Sequence, residues 1–182
     1  MIEIRLTDSV SVPWRNGGGQ TRELMTWPHG EHWCARFSVA QIDQSGPFSE
    51  FVNTTRWFTL IEGETVNLSV AGQSVDLDTE SPPFLFDGAQ PCNARLHKGR
   101  VLAFNLMLRG GWRAQVQRRL GGQPLGFCGE GWVALFCVRS GSYSLSGQTH
   151  RKDAGSFIWC PLVDAKELVL NSGQWIASHL FS

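Results

Sequence analysis

Apolar residues along this chain recur with a period of two, or in short runs closed by Gly, Pro, Asn or Asp. No window of about 12 residues carries a 3.6-residue period, so the chain is predicted to be all-β. Strands are expected at Ile2 to Leu6, Gln20 to Met25, Trp33 to Ile42, Arg56 to Glu62, Thr65 to Val70, Pro83 to Phe86, Cys92 to His97 and Val101 to Leu108. Further strands are expected at Trp112 to Arg118, Val133 to Arg139, Ser142 to Ser146, Ser156 to Trp159, Glu167 to Asn171 and Trp175 to Phe181. So many short strands at turn spacing predict a sandwich or barrel, or two of them.

A faint repeat supports two. The run from Leu60 to Leu68, hinged at Gly63, resembles that from Val138 to Leu145, hinged at Gly141. Phe84-Leu85-Phe86 matches Phe157-Ile158-Trp159, and Gly99 to Phe104 matches Gly173 to Ser178, with offsets of 78, 73 and 74 residues. Strand, glycine turn, strand and aromatic strand in that order resemble a cupin barrel. The expectation is a double β-barrel of the bicupin, RmlC-like jelly-roll kind: residues 1–110 form an N-terminal cupin-like barrel with the ligand pocket, and 111–182 a degenerate C-terminal unit. Cupin enzymes usually hold a metal through a His-x-His pair, an acid and a later His. The five histidines, at 29, 32, 97, 150 and 179, give only one close pair, in a loop after Pro28, so no metal and no other cofactor is expected.

Composition narrows the partners. The 182 residues carry 16 basic and 16 acidic side chains, for zero formal charge, which disfavours nucleic acid and anionic membrane as partners. There is no signal peptide and no stretch long enough to cross a bilayer, so the expected location is cytoplasmic. Five cysteines in mostly apolar settings, without a C-x-x-C pair, read as inert thiols in a reducing compartment. The basic residues are 13 Arg against only Lys98, Lys152 and Lys166. Arginine forks suit planar carboxylates.

The densest polar cluster runs from Trp14 to Glu23 around three consecutive glycines. It lacks the Lys-Ser/Thr of a phosphate loop, and the plain alternative is a glycine-rich turn between two strands. Strand parity puts Arg36 with Cys34, Ser38 and Ala40, groups Arg56 with Phe58, Leu60 and Glu62, and groups Ala103 with Asn105 and Met107. If these faces share one interior, a few polar groups sit in an apolar lining, as in a small-molecule site. The alternative is that Arg56 and Glu62 form ordinary structural pairs. Arg109, Arg113, Arg118 and Arg119 read as a solvated linker strand between the repeats. No nucleophilic triad or Gly-x-Ser-x-Gly elbow is present, no catalytic residue is assigned, and binding is favoured over catalysis.

The stretches Trp14-Arg-Asn-Gly-Gly-Gly-Gln-Thr-Arg-Glu23, Trp33-Cys-Ala-Arg-Phe-Ser-Val-Ala-Gln-Ile42, Gly46-Pro-Phe-Ser49 and Arg56-Trp-Phe-Thr-Leu-Ile-Glu-Gly63 together resemble the HutD/Ves family. The likeness covers the chain through about Arg109 and thins to pattern level beyond it. It implies a bicupin without the metal-ligand set that holds histidine utilisation in check, with N-formylglutamate as ligand. Carried over by resemblance, the pocket consists of Trp14, Asn16, Arg22, Glu23, Arg36, Arg56, Glu62 and Asn105. Arg22, Arg36 or Arg56 would clamp the carboxylates, and Asn16 or Asn105 the formamide. Relatives can carry an acid where this chain has Ala103, a departure that fits binding better than acid–base catalysis.

The expectation is therefore a metal-independent protein that binds a small acidic metabolite and modulates histidine catabolism. Two alternatives stand beside it. One is an enzyme acting on an acyl amino acid or similar small acid through Glu23 or Glu62; the other is an interaction module contacting a partner protein through exposed Trp and Phe of the second unit. Whether two chains pair as a homodimer is left open.

Overall fold

Strand alternation and glycine corners account for most of the backbone. The computed structural model describes residues 1–165 and 167–182, and among these are sixteen strands. They are β1 (Ile2–Arg5), β2 (Ser11–Pro13), β3 (Gly19–Trp27), β4 (Ala35–Ile42), β5 (Gly46–Pro47), β6 (Thr55–Glu62), β7 (Val66–Val70), β8 (Gln73–Leu77), β9 (Phe84–Asp87), β10 (Cys92–Leu96) and β11 (Val101–Leu108), followed by β12 (Arg113–Leu120), β13 (Trp132–Leu145), β14 (Gln148–Lys152), β15 (Ser156–Pro161) and β16 (Val169–Phe181). One 3₁₀ turn, Leu6–Asp8, and one helical turn, Leu162–Ala165, complete the list. No helix among the described residues is long and apolar enough to cross a membrane.

The chain divides into two units, Ser9–Gly111 and Met1–Asp8 with Trp112–Ser182. The first eight residues go with the second unit because β1 pairs along β15, Ile2 opposite Trp159 and Arg5 opposite Ser156. In the first unit a six-stranded sheet, β2-β3-β4-β11-β6-β9, and a four-stranded sheet, β5-β10-β7-β8, supply one core. That core joins Ile42, Phe58, Leu60 and Ala103 of the larger sheet to Val66, Leu68, Val70 and Ala94 of the smaller. Burying such a face is the main stabilising term of a two-layer β unit. The two sheets form the cupin-like, jelly-roll kind of unit expected from sequence, with open edges at β2, β9, β5 and β8 instead of a closed barrel wall.

The second unit is one sheet, β12-β16-β13-β15-β1, with β14 on β13. Its central order, β12-β16-β13-β15, repeats β4-β11-β6-β9 of the first. The two halves of β13 stand for β6 and β7, and those of β16 for β10 and β11, bent through β-bulges between Cys137 and Tyr143 instead of broken by loops. Gly141 sits at that bend; a Cβ there would strike the Ser172 carbonyl and the Gly173 Cα, which only glycine avoids. Trp175, Tyr143, Leu135, Ile158 and Leu170 fill this unit's core.

Two expectations change. The basic segment after Arg109 is no linker: Arg113–Leu120 is β12, paired residue by residue with β16. Trp and Phe are absent from the large exposed apolar side chains among the described residues, which removes the basis for an interaction face built from them. All five cysteines are free thiols; three are buried, Cys34 is half-buried and Cys128 is exposed.

Candidate functional site

The register of β3, β4, β11, β6 and β9 sets side chains on the inner face of the larger sheet in rows. Arg36 and Arg56 both stand opposite Met107, with Phe86 beyond Arg56; the next row is Glu23, Ser38, Asn105 and Phe58; the third is Thr21, Ala40, Ala103 and Leu60. Along β11 the face therefore changes from the apolar core at Val101 and Ala103 to polar groups at Asn105. At that end a cavity of about 780 Å³ opens, lined by Trp14, Asn16, Glu23, Arg36, Arg56 and Asn105 together with Phe48, Phe51, Phe58 and Met107. Small-molecule sites usually span roughly 300–1,000 Å³.

Arg56 is the unusual member. Only 6% of it is exposed, no acid among the described residues pairs with it, and its Nε has no hydrogen-bond partner. Its Nη1 donates to the Ser49 carbonyl at 3.4 Å. The guanidinium lies 5.5 Å from the ring centres of Phe48 and Phe51 and 5.0 Å from that of Phe86. Those rings offset part of the desolvation cost, up to about 2 kcal/mol each. Burial nonetheless pushes its pKa down to about 10, with the positive charge of Arg36 acting in the same direction; it stays cationic at neutral pH. A buried charge without a counter-charge costs several kcal/mol. Asn105, 3% exposed, is also incompletely satisfied: its Nδ2 donates to the Ala103 carbonyl at 3.2 Å while its Oδ1 accepts nothing.

Arg36 differs from Arg56 in being engaged. Its Nε donates to Glu23 Oε2 at 2.8 Å, with the two side chains 22% and 47% exposed, and its Nη1 rests on the Met107 sulfur at 4.0 Å. Trp14 donates from Nε1 to the Thr21 hydroxyl at 2.7 Å. Asn16 Oδ1 accepts the Gly18 N–H at 3.0 Å, so the three glycines form the turn that joins β2 to β3. A Cβ at Gly19 would strike the Gln41 carbonyl.

Two of the eight expected residues lie outside the cavity. Arg22 alternates with Thr21 and Glu23, stands opposite Val39 on the other face, and donates to the Ser9 carbonyl at 2.6 Å. Glu62 is exposed; the ladder pairs Ala103 with Leu60 but Leu102 with Glu62, so Ile61 is an extra residue and Glu62 loses its parity with Arg56. Phe48 and Phe51, which flank Arg56, were not singled out as site residues. Their signal is an aromatic pair in a loop directly before a strand that opens on a buried arginine.

A metal does not fit this site. The lining offers no histidine, its buried charge is a cation that repels a metal ion, and no group of three His, Cys, Asp or Glu among the described residues could hold one. Histidines 29 and 32 are both exposed.

The chain has a cupin-like fold, and its candidate site is built from arginine, amide and aromatic side chains. The fold is shared with a cupin 2 conserved barrel domain protein from Leptotrichia buccalis, at a TM-score of 0.59 and 8% identity over 99% of this chain and 95% of that one. The HutD family model matches residues 6–176, and the chain belongs to that family. Protein Ves of Cronobacter sakazakii is 30% identical over 168 residues, 92% of this chain and 91% of its own. The structure of HutD from Pseudomonas fluorescens SBW25, obtained in a formate condition, superposes with a TM-score of 0.82 and 26% identity, covering 98% and 97% of the two chains.

Proposed function

We propose that the cavity binds a small acidic metabolite, N-formylglutamate in the first instance, and that the protein modulates histidine utilisation through that binding. The observation that carries this reading is Arg56: a buried guanidinium, unpaired with any acid among the described residues, facing a cavity large enough for a metabolite. A ligand carboxylate would supply the missing counter-charge, and a charge-assisted contact of that kind is worth about 1.5–3 kcal/mol. Asn105 Oδ1 in the neighbouring row would accept the formamide N–H, satisfying the second orphan atom. Membership of the HutD family supports the histidine-utilisation setting.

The enzymatic alternative asks Glu23 or Glu62 to transfer a proton. Glu62 lies outside the cavity, and Glu23 is bound to Arg36, so no paired carboxylates meet there. Calorimetry with N-formylglutamate, urocanate and glutamate tests the reading. The expected result is saturable binding of N-formylglutamate with no product formed; absence of binding, or turnover in the same tube, overturns it.

A further inference from the structure

Three arginines line the cavity; Arg15 is exposed, and the two on the inner sheet face, Arg36 and Arg56, are unequal in a way that has a chemical meaning. Arg36 and Arg56 flank Met107 on adjacent strands to either side of it, so their Cα atoms are about 10 Å apart, two interstrand spacings. Arg56 is deep and has no counter-charge. Arg36 is nearer the mouth and already holds a carboxylate, that of Glu23, through a single Nε contact at 2.8 Å. Apart from the exposed Arg15 on its lining, the empty cavity therefore presents one uncompensated positive charge, although two arginines stand on its inner sheet face.

We propose that Glu23 is a built-in stand-in for a second ligand carboxylate and so sets the charge selectivity of the site. This rests on the reading of the cavity as a carboxylate site. A monoanion anchors on Arg56 and leaves Glu23 in place. A dianion places one carboxylate at Arg56 and the other at Arg36, and Glu23 gives way to it. The exchange is inexpensive because the Glu23–Arg36 pair is partly solvated, and water screens pairs of that kind. The incoming carboxylate has an advantage in geometry, since it can meet two guanidinium nitrogens where Glu23 meets one. What Glu23 adds is a penalty: every dianion must compete with it and tolerate its charge, whereas a neutral group in the same place faces neither.

The test compares N-formylglutamate with N-formylglutamine, which has nearly the same shape and one charge fewer, on the wild-type protein, on Glu23→Gln and on Glu23→Ala. In both variants the affinity for N-formylglutamate is expected to rise about tenfold, while that for N-formylglutamine stays within about twofold. Melting curves of the three proteins establish that the fold is retained. If either variant binds N-formylglutamate more weakly, or both ligands gain equally, Glu23 contacts the ligand or merely props Arg36 and the proposal fails while the carboxylate site stands. If the wild type binds neither compound, the reading of the cavity fails and the proposal falls with it.

Discussion

Two units with the same central strand order use the corresponding space in opposite ways. In the first, the connection from β4 to β6 carries Phe48 and Phe51 to the sides of Arg56 and leaves a cavity in front of it. In the second, the corresponding connection, residues 121–131 between β12 and β13, folds inward. Leu125 is 6% exposed within the core, Phe127 sets its ring 5.3 Å from that of His179, and Arg119 Nη2 donates to the Leu125 carbonyl at 3.2 Å. His179 Nε2 lies 2.9 Å from the Glu130 carbonyl. His179 holds the place on β16 that Asn105 holds on β11, each opposite an apolar residue, Val133 or Phe58. The chain thus meets Arg119 Nη2 and His179 with its own carbonyls in the second unit, where Gln117 Oε1, Arg119 Nε and Ser178 Oγ still lack a hydrogen-bond partner, while in the first Arg56 Nε and Asn105 Oδ1 lack one beside a cavity. What separates the units is the space: a connection that folds inward adds to the core, whereas buried polar atoms left unpaired beside a cavity carry a cost that a ligand there can offset.

The largest effect should come from the filled unit. Leu125→Ala removes a buried side chain whose neighbours can collapse only in part, and the expected loss is about 2–5 kcal/mol by urea denaturation. Affinity for N-formylglutamate at the first unit should be unchanged in the folded variant. A loss well under about 1 kcal/mol would mean that the segment is not packed as a core element. The open unit should respond in the opposite sense. Replacing Arg56 by Met removes the unpaired buried charge, so the protein should gain about 1–3 kcal/mol while carboxylate binding is lost. A destabilised Arg56→Met protein would show that the three phenylalanine rings and the Ser49 carbonyl already satisfy the guanidinium.

Arg36 ranks below these in effect. Arg36→Ala should weaken N-formylglutamate by more than tenfold, through one lost charge-assisted contact of about 1.5–3 kcal/mol, with the melting point little changed because its pair with Glu23 is partly solvated. Unchanged affinity removes Arg36 from the site and leaves Arg56 as the buried cation that anchors the ligand.

Much of this contrast was legible in the residues. Period-two alternation grouped Arg36 with Ser38, Arg56 with Phe58 and Asn105 with Met107, each on its own strand, and the ladders across β4, β11 and β6 join the three groups on one face. The same rule separates Arg22 from Glu23, so Arg22 was excludable from sequence. Glu62 was not, because its displacement depends on one extra residue at Ile61, and a bulge leaves no mark in a hydrophobic pattern. Strands β8 and β14 escaped notice for a related reason: both are edge strands with mostly exposed side chains, so no buried face imposes a period. The inward fold of residues 121–131 was hidden by its glycines, which read as a loop whatever lies beneath them.

The smallest predicted effect concerns an edge that the two units treat differently. In the first unit β9 is left as an open edge, with Leu85 48% exposed. In the second the equivalent strand, β15, is covered by β1, and Glu3 fastens that cover to Lys152 Nζ at 2.7 Å and to the Tyr143 hydroxyl at 3.2 Å. Burial alone would raise the Glu3 pKa, but the bond to Lys152, its positive charge and the Tyr143 hydroxyl together hold it below the ordinary 4.5. A carboxyl depressed in the folded state contributes stability above its unfolded pKa and loses it as the pH falls through the folded value. Glu3→Gln should therefore be slightly less stable than the wild type at neutral pH, and the gap should close as the pH falls below 4.5. The side chain is nearly half exposed, so the gap at neutral pH should stay within about 1 kcal/mol. A gap that stays constant from about pH 7 to about pH 3 would mean that β1 is held by its ladder and its apolar contacts alone, the carboxylate adding nothing that depends on charge.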